Sequence, residues 1–149
     1  MKSQLSTKIK ALAIYQIIGG ILGFVFLFLL LDFRNSSLIW LILLPFIFVL
    51  FTYSIYCGIV LLKNVSKGLI HSKVNQFLQV VSFMAFGYAY QYMSGAFISV
   101  GLNFTDALEF NFNFGLSHSA MGFNTNDPDL QFSINLIAIF LIVFIDKAQ

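Results

Sequence analysis

The residues best suited to chemistry lie in the segment after residue 101. His118 shares this segment with four acidic residues, Asp106, Glu109, Asp127 and Asp129. Imidazole nitrogens and carboxylate oxygens are common metal ligands, so together they could form a metal site. Their spacing matches no known metal-site template. The positive-inside rule also explains acidic residues in an outer loop without a metal, because it keeps basic residues on the cytoplasmic side. We therefore expect no metal and no cofactor.

Nucleophile signatures are also absent from the sequence. Cys57 is the single cysteine, which excludes an internal disulfide framework, a Cys-x-x-Cys redox pair and a cysteine-based zinc site. The stretch "GLSHSAMG" resembles a nucleophile elbow, but it does not match G-x-S-x-G and no strand–turn–helix pattern surrounds it. We expect no catalytic residue, and a membrane enzyme ranks third among the functions considered.

The composition is that of an integral membrane protein. The chain has 149 residues, of which 59% are hydrophobic and 9% charged, and its mean hydropathy is +0.89. Its net charge is +2 and its eight basic residues are dispersed, so we expect no nucleic-acid partner. Abundant Phe, Ile and Asn are typical of an AT-rich bacterial genome, which points to a bacterial cytoplasmic membrane.

Four uncharged apolar runs predict transmembrane helices, since a spanning helix needs roughly 17–25 apolar residues. They lie at 11–31, 38–62, 77–100 and 130–145. The fourth run is short, and it gains length if Asp127 caps its helix and Pro128 takes the first helical position. The alternative is a tilted helix or a locally thinned bilayer.

The predicted fold is therefore an all-α, four-transmembrane-helix bundle that forms a single membrane domain over residues 1–149. Its helices would lie at about 11–31, 38–62, 77–100 and 128–145. An outer loop at about 101–127 would cap the bundle between helices 3 and 4.

Basic residues predict the orientation of this bundle. Seven of the eight fall on one side: three before helix 1, three between helices 2 and 3, and one at the end, while Arg34 falls on the other. By the positive-inside rule both termini are cytoplasmic. No predicted span contains Asp, Glu, Lys, Arg or His, which argues against a coupled pump.

Small residues at helical spacing predict where the helices pack. In helix 1, Gly19 and Gly23 form a G-x-x-x-G pair and Gly20 lies on a neighbouring face. In helix 3, a small or amide residue recurs every fourth position, at Gly87, Gln91 and Gly95. Such stripes let membrane helices approach closely, so we expect helices 1 and 3 to form the packed centre. The pattern leaves open whether these faces meet within one chain or between chains.

Uncharged polar residues inside the spans have two interpretations. They could line a cavity for a small ligand or lipid head group, or they could form hydrogen bonds between helices. Towards the cytoplasmic side these residues are Gln16, Tyr53, Tyr56 and Gln79, and towards the outside they are Gln91, Ser94 and Asn135.

The stretch "LEFNFNFGL" at 108–116 alternates apolar and polar residues, which favours an extended segment with Phe110, Phe112 and Phe114 on one side. An isolated strand is unstable in water and cannot enter lipid unpaired. We expect its Phe face to lie down on the helix ends, and the strand to pair with "SHSAMGF" after a turn near Gly115 or with a partner chain. The alternative is a short helix from Thr105 followed by irregular chain.

The leading functional hypothesis is a small non-enzymatic membrane subunit. It would lie in the lipid bilayer and assemble with itself, as a homo-oligomer, or with partner membrane proteins, through the glycine faces and the outer loop. The alternative is a channel or carrier for a small uncharged or lipid-like ligand.

Overall fold

The structure is a computed structural model that describes residues 6–30, 38–105, 107–123 and 129–148. These residues form four helices and four strands in the order α1 (Thr7–Leu30), α2 (Leu38–Lys63), α3 (Val65–Val80), β1 (Val81–Ala85), β2 (Tyr88–Asn103), β3 (Glu109–Gly122), β4 (Gln131–Asn135) and α4 (Leu136–Ala148). The strands form one antiparallel sheet. The predicted all-α four-helix bundle is therefore wrong.

The first two predicted helices are present as α1 and α2. Within the described residues, two helical segments are long and apolar enough to cross a membrane, Thr7–Leu29 and Ile42–Lys63. At 1.5 Å per residue, each is about 33–35 Å long, which matches a hydrocarbon core of about 30 Å.

The third predicted helix, at 77–100, is wrong. Helix α3 occupies the region predicted to connect helices 2 and 3, and the chain turns into β1 and β2 from Val81 onwards. This segment is rich in aromatic and β-branched residues, which favour strands when a pleated surface is available. A two-residue turn joins the strands, with φ of 54° at Phe86 and 81° at Gly87. Positive φ at both central residues is typical of a type I′ hairpin turn, so Gly87 is a turn residue and not a helix-packing residue.

The alternation at 108–116 correctly predicted an extended segment, since β3 begins at Glu109. The predicted pairing with "SHSAMGF" is wrong, because β3 continues through Gly115 without a turn and pairs with β2 from Asn103↔Glu109 to Ala89↔Gly122. The outer loop predicted at 101–127 is therefore largely sheet.

The fourth predicted helix, at 128–145, begins later than expected. Strand β4 precedes it, and α4 starts at Leu136. The Asn135 side chain caps α4, because its Oδ1 accepts hydrogen bonds from the backbone nitrogens of Ile137 (3.1 Å) and Ala138 (3.4 Å). Asp127 and Pro128, the predicted cap, lie outside the described residues.

The sheet order is β1-β4-β2-β3, and β1 also pairs with the start of β2. Strand β2 is central and carries a bulge, where Ser94 and Gly95 face the single residue Ser117 of β3. Gly95 adopts φ +99°, which a residue with a side chain rarely tolerates. The bulge is the point at which α1 meets the sheet.

Two apolar clusters lie at different levels of the helices. The first joins the start of α1 to the ends of α2 and α4, through Leu12, Leu61, Leu69 and Ile145. The second joins α2 to the sheet through Ile47, Leu50, Phe51, Tyr92 and Met121.

Candidate functional site

Helix α1 contacts the bulge of β2 so closely that only glycine fits. A Cβ atom on Gly19 would lie 2.5 Å from the backbone nitrogen of Gly95. Hydrogen bonds hold the two backbones together: Tyr15 Oη donates to the carbonyl of Ala96 (2.8 Å), and Ser117 Oγ donates to the carbonyl of Gly19 (2.8 Å). Ser117 Oγ also accepts from the Gly95 nitrogen at 2.9 Å. Gly19 and Gly95 therefore meet within one chain, between a helix and a strand.

The other glycines of α1 face α2. A Cβ on Gly20 would lie 2.8 Å from the carbonyl oxygen of Phe51, and a Cβ on Gly23 would overlap the Phe51 ring. Gln91 lies in β2, opposite Ala120 of β3. The predicted helical stripe of Gly87, Gln91 and Gly95 therefore does not exist.

Next to this contact lies a group of buried polar side chains that we call the polar network. Its centre is Ser54 of α2, whose Oγ donates to the carbonyl of Gln16 in α1 (3.0 Å). The same oxygen accepts from Nδ2 of Asn75 in α3 (3.2 Å) and from Oγ of Ser94 in β2 (2.7 Å). One hydroxyl thus connects four elements of the fold.

The remaining members extend the polar network along α3 and β2. Ser72 Oγ donates to Gln16 Oε1 (3.0 Å), and Gln79 Oε1 accepts from the backbone nitrogen of Ser94 (2.7 Å). Tyr92 Oη lies 2.8 Å from the carbonyl oxygen of Leu50. The members are Gln16, Ser54, Ser72, Asn75, Gln79, Tyr92 and Ser94, and each is at most 1% exposed.

Helix α3 supplies this network because its polar face points inward. The inward polar residues follow helical spacing: Ser72, Asn75, Gln76 and Gln79. After the first turn, where Ser66 and Lys67 are exposed, the outward residues are apolar and 36–57% exposed: Ile70, Val74, Phe77 and Leu78. This arrangement is the reverse of an amphipathic helix in a water-soluble protein.

The sheet shows the same reversal on what we call the outer sheet face. It consists of eight apolar residues that are 39–85% exposed: Val81, Val100, Phe110, Phe112, Phe114, Leu116, Phe132 and Ile134. The register places them side by side, for example in the row Val81↔Ile134↔Val100↔Phe112. Alternate residues of β1, β2 and β4 are polar and at most 7% exposed: Ser82, Ser99, Ser133 and Asn135. These four polar side chains are inside and the eight apolar ones outside, while buried Phe97 on the inner side of β2 and exposed Asn113 on β3 depart from this pattern.

The outer sheet face has a ridge and a depression. The ridge is formed on β3, where the Phe112 and Phe114 rings lie 6.4 Å apart. The depression has a volume of about 360 Å³ and is lined mainly by apolar side chains, including those of Val100, Phe132 and Ile134. Phe110, Phe112 and Phe114 are 85%, 62% and 78% exposed, so the prediction that they lie down on the helix ends is wrong.

The hypothetical metal site is not assembled in the described part of the chain, where no three His, Cys, Asp or Glu residues come together. His118 lies in β3, opposite Met93 of β2. Asp106 and Asp127 are outside the described residues. Cys57 Sγ donates to the backbone carbonyl of His71 (3.4 Å) and not to its ring, so the two do not form a catalytic pair.

Sequence reasoning found only part of the polar network. It singled out Gln16, Gln79 and Ser94 as polar residues in apolar runs, but it missed Ser54, the centre of the network, and Tyr92, although both lay in predicted helices. It also missed Ser72 and Asn75, which fell in a predicted connection. Their spacing, with Gln76 and Gln79, is the signal that could have identified an inward polar face. No protein family, curated protein or solved structure matches this chain.

Proposed function

We propose that this chain is a small non-enzymatic integral membrane protein that works as an assembly subunit, associating with itself or with partner membrane proteins. The observation that supports this most directly is the reversed polarity of α3 and of the sheet. In water, a continuous apolar surface of this kind is unfavourable and rare in a monomer. In a bilayer, apolar groups face lipid at no such cost, while buried polar groups must find partners inside the protein.

The outward surfaces of α1 and α2 fit the same interpretation. Their exposed positions carry large apolar residues, for example Ile14, Ile18 and Ile21 on α1 and Ile42 and Val49 on α2. The sheet contacts α1 near its middle, at Gly19, so a bilayer that surrounds α1 also surrounds this part of the sheet.

The orientation we propose has both ends of the chain in the cytoplasm. The first apolar cluster brings the start of α1 together with the ends of α2 and α4. Basic residues concentrate at that end: Lys8, Lys10, Lys63, Lys67, Lys73 and Lys147. The positive-inside rule assigns such an end to the cytoplasm.

A scaffolding role is favoured over an enzymatic one by the chemistry of the polar network. Its members are all uncharged at neutral pH, and most of their hydrogen bonds go to one another or to the backbone. Such a network fixes the relative positions of α1, α2, α3 and β2, which is what a rigid subunit needs.

A carrier for a small uncharged ligand is the second candidate, and one observation favours it. Both side-chain polar atoms of Gln76, and Nε2 of Gln16, are buried with no hydrogen-bond partner in the described residues. An amide of this kind can bind a small molecule that offers both a donor and an acceptor.

The proposal is tested by fractionation and native mass. The protein should remain in the membrane pellet after an alkaline carbonate wash. After mild detergent extraction it should run as a multiple of 16.8 kDa, or with a partner at fixed stoichiometry, once bound detergent is subtracted. Release by the wash, or a lone 16.8 kDa particle, contradicts the proposal.

A further inference from the structure

We propose that two copies of this chain pack against each other through their outer sheet faces, sheet against sheet. This inference rests on the proposed function and names the partner and the surface that the assembly uses. It is carried by the size of the outer sheet face, by its shape and by its lack of charge.

The exposed area is that of a protein interface. A Phe side chain has about 150–250 Å² of surface. With the exposed fractions of its eight residues, the outer sheet face presents about 800 Å² of apolar surface. A stable dimer buries about 800 Å² on each partner, so the outer sheet face is large enough to form a dimer interface.

The shape of the face is self-complementary. In a two-fold dimer the same surface serves both partners, so a protrusion needs a matching depression on that same surface. The Phe112 and Phe114 ridge on β3 and the depression over β2 and β4 meet this requirement. The strand order is β1-β4-β2-β3, so a two-fold axis along β2 places β3 of each copy over β4 of the other, with Phe112 at the level of Ile134 in the depression.

The chemistry of the face allows two copies to approach. Its eight members carry no charge, so no like charges meet when two identical faces pack. In lipid the hydrophobic effect does not drive association, and close packing of complementary surfaces must supply the affinity. An aromatic ridge seated in a depression provides such packing.

Cross-linking tests the geometry directly. Cys57→Ser removes the only native thiol, and Val100→Cys then places one thiol near the proposed axis. Packed sheets lie about 10 Å apart, so a short bismaleimide in native membranes should join most of the Val100→Cys protein into dimers. The matched control is Ile18→Cys, which is exposed on α1 and should give little dimer.

A second pair of variants tests the energetics. Replacing Phe110, Phe112 and Phe114 together with Ser should raise the dimer dissociation constant in detergent at least tenfold. Replacing Ile14, Ile18 and Ile21 with Ser changes three exposed apolar residues of α1, each about half exposed, and should change the dissociation constant less than twofold. Circular dichroism verifies that both variants fold. If the Phe variant does not fold, the Val100→Cys cross-link decides.

The inference is overturned if the protein is oligomeric but Val100→Cys does not cross-link, or if the Phe and Ile variants dissociate equally. Either result would assign the outer sheet face to lipid or to another protein, and would leave the proposed assembly function intact. A protein that is monomeric in native membranes and has no partner would instead refute both.

Discussion

Replacing Gly19 with Ala should force α1 away from the bulge of β2. The new Cβ would lie 2.5 Å from the Gly95 nitrogen and 2.7 Å from the Ser94 carbonyl carbon. Non-bonded atoms prefer about 3.5–4.0 Å, so the two backbones must separate by about 1 Å. Both neighbouring atoms belong to the backbone, which cannot move aside as a flexible side chain could.

The size of the effect follows from the contacts that the separation disturbs. Overpacking of this kind costs about 1–3 kcal/mol. The hydrogen bonds from Tyr15 to Ala96 and from Ser117 to Gly19, both 2.8 Å long, would lengthen beyond a useful distance. Each is worth about 1 kcal/mol, and the better helix propensity of Ala returns up to about 1 kcal/mol. The net loss should be about 2–4 kcal/mol of unfolding free energy.

The assay is thermal unfolding in one detergent, followed by circular dichroism. The midpoint should fall by about 5–15 °C, given about 2–4 °C per kcal/mol for a chain of this size. Gly115→Ala is the matched control, because its Cβ would meet only ring atoms of Phe97, at 3.2 Å. If Gly19→Ala unfolds within about 0.5 kcal/mol of the native protein, the argument from close contact is refuted.

Three further changes test the polar network and the orientation. Ser54→Ala removes a hydroxyl that takes part in three hydrogen bonds and should lower the unfolding free energy by about 1–3 kcal/mol. The control is Ser66→Ala, at the exposed start of α3, which should leave the midpoint of thermal unfolding unchanged. Gln76→Met replaces an amide without a partner in the described residues by an apolar side chain of similar length, so it should raise the unfolding free energy by about 1–3 kcal/mol. A destabilised Gln76→Met variant would show that the amide is hydrogen-bonded in the folded protein. In a Cys57→Ser background, Ser66→Cys should react with an impermeant maleimide only after cells are permeabilised, and labelling of intact cells would place this end of the molecule outside.

Hydropathy predicted α1 and α2 well, because both are continuous apolar helices. Helix α2 matches its apolar run to within one residue, whereas α1 begins four residues before its run, at Thr7. It failed for 77–100, because averaging over a window does not distinguish a helix from two strands of equal apolarity. The alternation of Tyr88, Tyr90 and Tyr92 carries the same signal as that of Phe110, Phe112 and Phe114. The alternation is weaker among the tyrosines, because apolar Ala89 lies between the first two, whereas Asn residues separate the phenylalanines.

The close contact of α1 with the sheet could not be predicted from the sequence, for a different reason. The glycine spacing in α1 indicated a close-packed helix face, but spacing within one element does not identify the opposing element. Gly95 meets Gly19 only because the bulge of β2 brings its backbone forward, and the bulge is set by pairing with β3. Contacts of this kind depend on register between distant segments, which local pattern does not encode.

The hydrogen bond from Ser117 to Gly19 joins residues 98 positions apart, and this separation constrains the order of events during synthesis. Ribosomes add about 5–20 residues per second, so Gly19 is made about 5–20 s before Ser117. During that interval the glycine face of α1 that will receive β2 has no strand to contact. The membrane insertion machinery, the lipid or the α2 face must cover it until β2 and β3 are made. A nascent chain stalled before residue 94 should therefore be the form of this protein most prone to wrong helix association.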